Sequence, residues 1–139
     1  MDTQSRREFI SSTGKLTIMS GLGLGAASLE EETAQLRNKF IHHVFFWLKN
    51  PDSQEDKQKL IAGLQRLTKA KTIESAHIGV PAATNREVIE RSYQVSWLLV
   101  FKNDADQEVY QSDPIHLKFI EECSMLWEKV VVYDSVQAK

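Results

Sequence analysis

Tyr110-Gln111-Ser112-Asp113-Pro114-Ile115-His116 and, further on, Trp127-Glu128-Lys129-Val130-Val131-Val132-Tyr133-Asp134 are the stretches that decide the fold. Asp113 followed by Pro114 is a helix start: a carboxylate can cap the free backbone N–H groups, and proline is tolerated at the first helical position. Beyond it, His116, Ile120, Cys123 and Trp127 recur at helical spacing and are expected on one face. Val130 to Val136 then reads as a strand. The chain therefore ends helix then strand, with a phenol and an imidazole on either side of the helix start.

Working outward, Asn103 to Asp106 opens a shorter helix that reaches Tyr110. Before it, Ser92 to Lys102 is a strand with Tyr93, Val95, Trp97, Leu99 and Phe101 expected on one face. Leu98 and Val100 make part of its second face apolar as well, so that face needs a cover. Ile73 to Val80 is a shorter strand stopped by Pro81, and residues 82 to 91 form a polar connection. Leu60, Leu64 and Leu67, with Ile61, mark a helix from Gln54 to about Lys71, for which Ser53 and Asp56 suggest a capping box. Phe40 to Lys49 is the first strand. The order strand, helix, strand, strand, helix, strand predicts an α+β, ferredoxin-like βαββαβ plan with helices on one face of an antiparallel sheet. A second copy of the chain would supply the cover for the other face.

The 139-residue chain is 42% hydrophobic with a formal net charge of −2, which suits one globular domain and gives no basic stripe for nucleic acid. Cys123 is its one cysteine, so an intrachain disulfide and a cysteine-based zinc site are excluded. No apolar run reaches the roughly 18 residues of a membrane span. At the N-terminus, Arg6 and Arg7 precede Phe9-Ile10, a weakly apolar glycine-rich stretch and a small-residue close at Gly25-Ala26-Ala27. That layout resembles a twin-arginine export signal. The expected organisation is a signal segment at 1–27, a polar linker or short helix at 28–38, and a domain at 39–137. An exported protein would reside in the bacterial periplasm or cell envelope.

Among residues able to move protons, His116 and Tyr110 are the first candidates: an imidazole base and a phenol donor could together polarise a carbonyl and remove an acidic proton. The alternative is a helix-start histidine bonded to a backbone carbonyl, with Tyr110 packing the helix elbow. His42 and His43 point to opposite sides of the first strand, so they cannot share a metal from one side. His42 lies on the face of Val44 and Phe46. The four histidines form no metal pattern, and no nucleotide or cofactor motif is present. Cys123 reads as a small core residue.

These motifs together resemble the Dabb family, the stress-responsive dimeric A/B barrel domains. The resemblance rests on His42-His43-Val44-Phe45-Phe46-Trp47-Leu48-Lys49, on Phe101 with the acidic turn after it, on Tyr110, Pro114 and His116, and on Trp127 to Asp134. It covers about residues 39 to 136. It implies a homodimer whose sheets pack face to face as a dimeric α/β barrel. It also implies a pocket in each protomer lined by His42, Val44, Phe46, Val95, Trp97, Val130, Val132 and His116. A plant polyketide cyclase of this family uses a tyrosine–histidine pair for cofactor-free aldol cyclisation, and those positions correspond to Tyr110 and His116. The expectation is an exported homodimer that binds a small, largely apolar or polyketide-like ligand, with cofactor-free cyclase- or lyase-like chemistry. The alternative is a non-enzymatic stress-response or interaction module with structural histidines. Where many members carry a histidine before the proline, this chain has Asp113, whose charge is expected to raise the His116 pKa.

Overall fold

The computed structural model describes residues 32–139; the Arg6-Arg7 segment and the first part of the expected linker, residues 28–31, lie outside the described residues. Residues 35–38 form no helix, and Asn38 turns the chain at a φ of 56°, a left-handed conformation that asparagine tolerates. Its N–H donates to the Gln137 side chain at 2.7 Å, tying the start of the domain to the residue that follows its last strand.

Four strands and three helices follow: β1 (Phe40–Leu48), α1 (Gln54–Leu67), β2 (Ser75–Gly79), β3 (Val95–Phe101), α2 (Asp104–Ser112), α3 (Pro114–Cys123) and β4 (Trp127–Val136), with a short 3-10 turn at Ser124–Leu126. The sheet order is β2-β3-β1-β4, antiparallel throughout. This is the ferredoxin-like α+β fold that the element order predicts.

Register explains why the core forms where it does. Directly paired residues share a face of a sheet. His42, Val44 and Phe46 pair with Leu99, Trp97 and Val95 on one side and with Asp134, Val132 and Val130 on the other. This face carries the helices. Leu60, Leu64 and Leu67 of α1 and Phe119 and Cys123 of α3 close on Phe46, Leu48, Val95, Trp97, Leu99 and Phe101. The close approach of α1 to α3 depends on Gly63, where a Cβ would stand 2.6 Å from the Cys123 sulfur.

Helix ends follow local chemistry. Ser53 accepts from the Asp56 N–H at 3.1 Å, Asn103 from the Asp106 N–H at 2.9 Å, and Asp113 from the Ile115 N–H at 2.8 Å. The expected capping box is only half formed. The Asp56 carboxylate takes the Asn50 amide, while the Ser53 N–H donates to the Asn50 carbonyl.

Two expected faces are redrawn. Tyr93 does not continue the Val95–Trp97 face. It precedes β3 and packs on Phe45 and Trp47, ring centroids 4.9 and 6.4 Å away, on the opposite side of the sheet. Strict alternation fails there because Gln94 is spent on β1, its N–H donating to Phe46 and its side-chain carbonyl accepting from the Leu48 N–H. The expected face of α3 is also shifted. Phe119 and Cys123 are its buried residues and Ile120 is exposed, while Trp127 lies past the 3-10 turn at the head of β4.

Candidate functional site

The helices cover the β1–β3 half of the inner sheet face and leave β4 beyond Trp127 uncovered, so Val130 and Val132 remain 38% and 43% exposed. Between this uncovered edge and the α2–α3 elbow lies a cavity of about 180 Å³. His42, Val44, Phe46 and Trp97 supply its sheet wall, Val130 and Val132 its β4 side, and Tyr110 and His116 its helix side. Val95 is the exception among the expected lining residues. It is fully buried opposite Phe46 and contributes to the core instead.

Tyr110 is buried at the end of α2, where the Trp97 indole N–H donates to its hydroxyl oxygen at 3.3 Å. Burial pushes its pKa up to about 12, so the phenol keeps its proton and is available as a hydrogen-bond donor. Its ring lies 4.5 Å from that of His116, centroid to centroid. His116, half-buried one turn into α3, has Nδ1 3.1 Å from the Gln111 carbonyl oxygen. A carbonyl only accepts, so Nδ1 carries the hydrogen and Nε2 is left with its lone pair. Burial lowers the His116 pKa, and the opposing effects of the Gln111 bond and Asp113 are smaller. The upward pull expected from Asp113 is present, but desolvation outweighs it and the net shift is downward. His116 is a neutral base near pH 7. The backbone bond expected of a purely structural histidine is present as well, but it occupies one nitrogen only.

A third group joins them. His42, buried in the middle of the sheet wall, donates from Nδ1 to the Asp134 carboxylate at 2.6 Å. Its ring lies 6.0 Å from that of Tyr110. Asp134 has no assigned role in the linear reading. The signal was available, because it follows Val130 and Val132 at strand spacing and so faces the same way. Gln111, Phe119, Ile120 and Trp127 complete the lining, and Trp127 stacks on Phe119 at 5.8 Å.

Larger surface hollows lie elsewhere, such as those near Lys69 to Lys71 and at the end of the sheet by Asn38 and Gln137. They lack this convergence of acid–base groups on an apolar wall. No group of three or more potential metal-binding side chains occurs among the described residues. Nor does any helix among them have the length and apolarity to cross a membrane.

Fold and site define the class: a ferredoxin-like α+β domain with a small pocket between its sheet edge and its helix elbow. The model of the Stress responsive A/B Barrel Domain, Dabb, matches residues 40–137, and the chain belongs to that family. Solved structures agree. A Dabb family protein with a ferredoxin-like fold from Mesorhizobium loti is 21% identical at a TM-score of 0.60, covering 73% of this chain and 98% of its own. The hydroxynitrile lyase of Passiflora edulis is 23% identical at a TM-score of 0.61, covering 73% and 95%. A dimeric ferredoxin-like protein of unknown function from Bacteroides fragilis is 18% identical at a TM-score of 0.57, covering 73% and 98%. At these identities the likeness is one of fold. No curated protein matches the chain.

Proposed function

We propose that this protein is an exported homodimer that binds a small, largely apolar ligand in the Tyr110–His116 pocket and performs cofactor-free acid–base chemistry on it. The observation that carries the reading is one apolar cavity of about 180 Å³ walled by a protonated phenol and two histidines. In this reading His116 Nε2 removes a proton from an O–H or an acidified C–H of the ligand. The Tyr110 hydroxyl donates to the ligand's carbonyl or hydroxyl oxygen, and the charge that develops there is stabilised. His42, oriented by Asp134, is placed to return or relay a proton. The same inventory serves making or breaking a carbon–carbon bond beside an oxygen, in the manner of a lyase or a cyclase. The hydroxynitrile lyase among the structural relatives gives this reaction type its support.

Dimerisation is supported by the dimeric relatives and by the sheet face opposite the helices, where Phe45, Trp47, Leu98, Val131 and Tyr133 meet. Export rests on the Arg6-Arg7 segment.

The test is a screen of aromatic and polyketide-like carbonyl compounds by quenching of tryptophan fluorescence, since Trp97 and Trp127 both line the cavity. Hits are then assayed for turnover. Binding is expected at micromolar to millimolar concentration, to weaken in Tyr110→Phe, and turnover is expected to fall in His116→Ala. Binding that is indifferent to both substitutions would remove the site assignment.

A further inference from the structure

The sheet face turned away from the helices carries an unusual pair of titratable groups. His43 of β1 and His77 of β2 both pair with Leu98 of β3, so the two imidazoles flank one leucine on the same face. The His77 ring leans along β2 over Gly79, where a Cβ would stand 3.1 Å from its Cε1. The His43 ring lies against Phe45 at 4.2 Å. On its other side His43 pairs with Tyr133 of β4.

The remaining positions of this face are Ile41, Phe45 and Trp47 of β1, Ser75 and Gly79 of β2, Ser96, Leu98 and Val100 of β3, and Lys129, Val131, Tyr133 and Ser135 of β4. None is a carboxylate. The charged groups nearest the face lie at its margins, among them Glu128, left without a β1 partner at the irregularity next to Lys129. Lys129 sits over the Trp47 ring at 4.6 Å, Lys39 is paired with Glu74 at 2.7 Å, and Glu90 is bonded to Ser92. Among the described residues an imidazolium on this face therefore has no acidic partner, and covering the face removes the water that would otherwise solvate it.

We propose that His43 and His77 make the association of two copies through this face pH-dependent: the pair forms with both imidazoles neutral and opens as they take up protons in mildly acid medium. This rests on the homodimer reading above. The cost of burying an unpaired charge supplies the drive. Burial, together with His77 and His42, already holds His43 below the ordinary imidazole value in the single protomer, and covering the face strengthens the first of these. A dimer holds four such rings, two from each copy. By linkage, each ring that must release its proton to associate raises the dissociation constant up to tenfold per pH unit once the medium is acid enough to protonate that ring in the separate protomer.

The experiment is sedimentation velocity on a dilution series at pH 7.5 and at pH 5.5, at constant ionic strength, with far-UV circular dichroism at both. The dissociation constant is expected to rise at least about tenfold at pH 5.5, with the circular dichroism unchanged. His77→Gln, a change at an exposed position that leaves the core alone, should reduce the rise, and His43→Gln with His77→Gln should abolish it. Equal dissociation constants at the two pH values, or the full rise persisting in the double variant, would overturn the proposal while leaving the dimer intact. Loss of the circular dichroism signal at pH 5.5 would also overturn it, since the protomer itself would then be failing. A monomer at pH 7.5 across the series would instead refute the homodimer reading, and the switch with it.

Discussion

Replacing Tyr110 by phenylalanine tests packing and chemistry at once. Tyr110 is 2% exposed and Trp97 1% exposed, and the phenolic oxygen is the acceptor for the indole N–H at 3.3 Å. Phenylalanine keeps the ring contacts to Phe101 and His116, at 5.2 and 4.5 Å, and removes only the oxygen. The indole N–H is then buried without an acceptor. Such an orphaned donor costs about 1–3 kcal/mol. Because 3.3 Å is long for an N–H···O bond, the lower half applies, about 1–2 kcal/mol. Tyr110→Ala also deletes the ring and should cost about 3–5 kcal/mol. Equilibrium urea unfolding at fixed chain concentration measures both. Repeating Tyr110→Phe in a Trp97→Phe background, where no indole donor remains, should shrink its cost by about 1 kcal/mol, the coupling of the pair. The Phe variant should also lose the ligand-facing donor, and with it about 100-fold in turnover. A Tyr110→Phe protein as stable as the parent, with no coupling to Trp97, would refute the packing argument and leave the hydroxyl free of any structural duty.

Gly63→Ala places a methyl 2.6 Å from the Cys123 sulfur and 3.3 Å from the Phe119 ring. Overpacking of about 1–3 kcal/mol should outweigh the roughly 1 kcal/mol gained in helix propensity, and Cys123→Ala should relieve part of it on thermal or urea unfolding. Asp113→Ala removes the α3 cap and should cost about 1 kcal/mol by the same measurement. His116 and His43 both have pKa values lowered in the folded chain, so below about pH 6.5 the unfolded chain binds more protons than the folded one. Their contribution to stability is present above pH 6.5 and is lost as pH falls through the lowered folded values. Urea midpoints should therefore drop between pH 7.5 and 5.5, and less so in His116→Gln. Asp134→Asn exchanges an acceptor for an amide that can donate to His42 Nδ1, which should move the ring proton from Nδ1 to Nε2. Nitrogen chemical shifts of the imidazole report that change directly, and an unmoved tautomer would show that Asp134 does not set it.

Much of this molecule is legible residue by residue. Leu60, Leu64 and Leu67 mark the buried stripe of α1, Asp113-Pro114 marks the start of α3, and the apolar runs at Phe40 and Val95 mark the central strands, because each signal is local to one element. The elbow that brings Tyr110 and His116 together is nearly local too, since a single capping residue separates the two helices. Alternation misplaces Tyr93 because it presumes an unbroken strand. The Gln94 contacts that reset it are made to residues nearly fifty positions earlier. Helical spacing misplaces Trp127 because it carries no information about where a 3-10 turn ends the helix.

The sequence by itself determined the elements, their order and the family to which the chain belongs, because hydrophobic period, caps and turn residues act within a few positions of one another. Only the tertiary structure decided that the helices leave β4 beyond Trp127 uncovered, that Val95 is core while Val130 and Val132 line a cavity, and that Asp134 reaches His42. It alone also set His43 and His77 on either side of Leu98. Those outcomes depend on strand register and on which half of the sheet the helices cover. Both are fixed by packing between residues far apart in the chain.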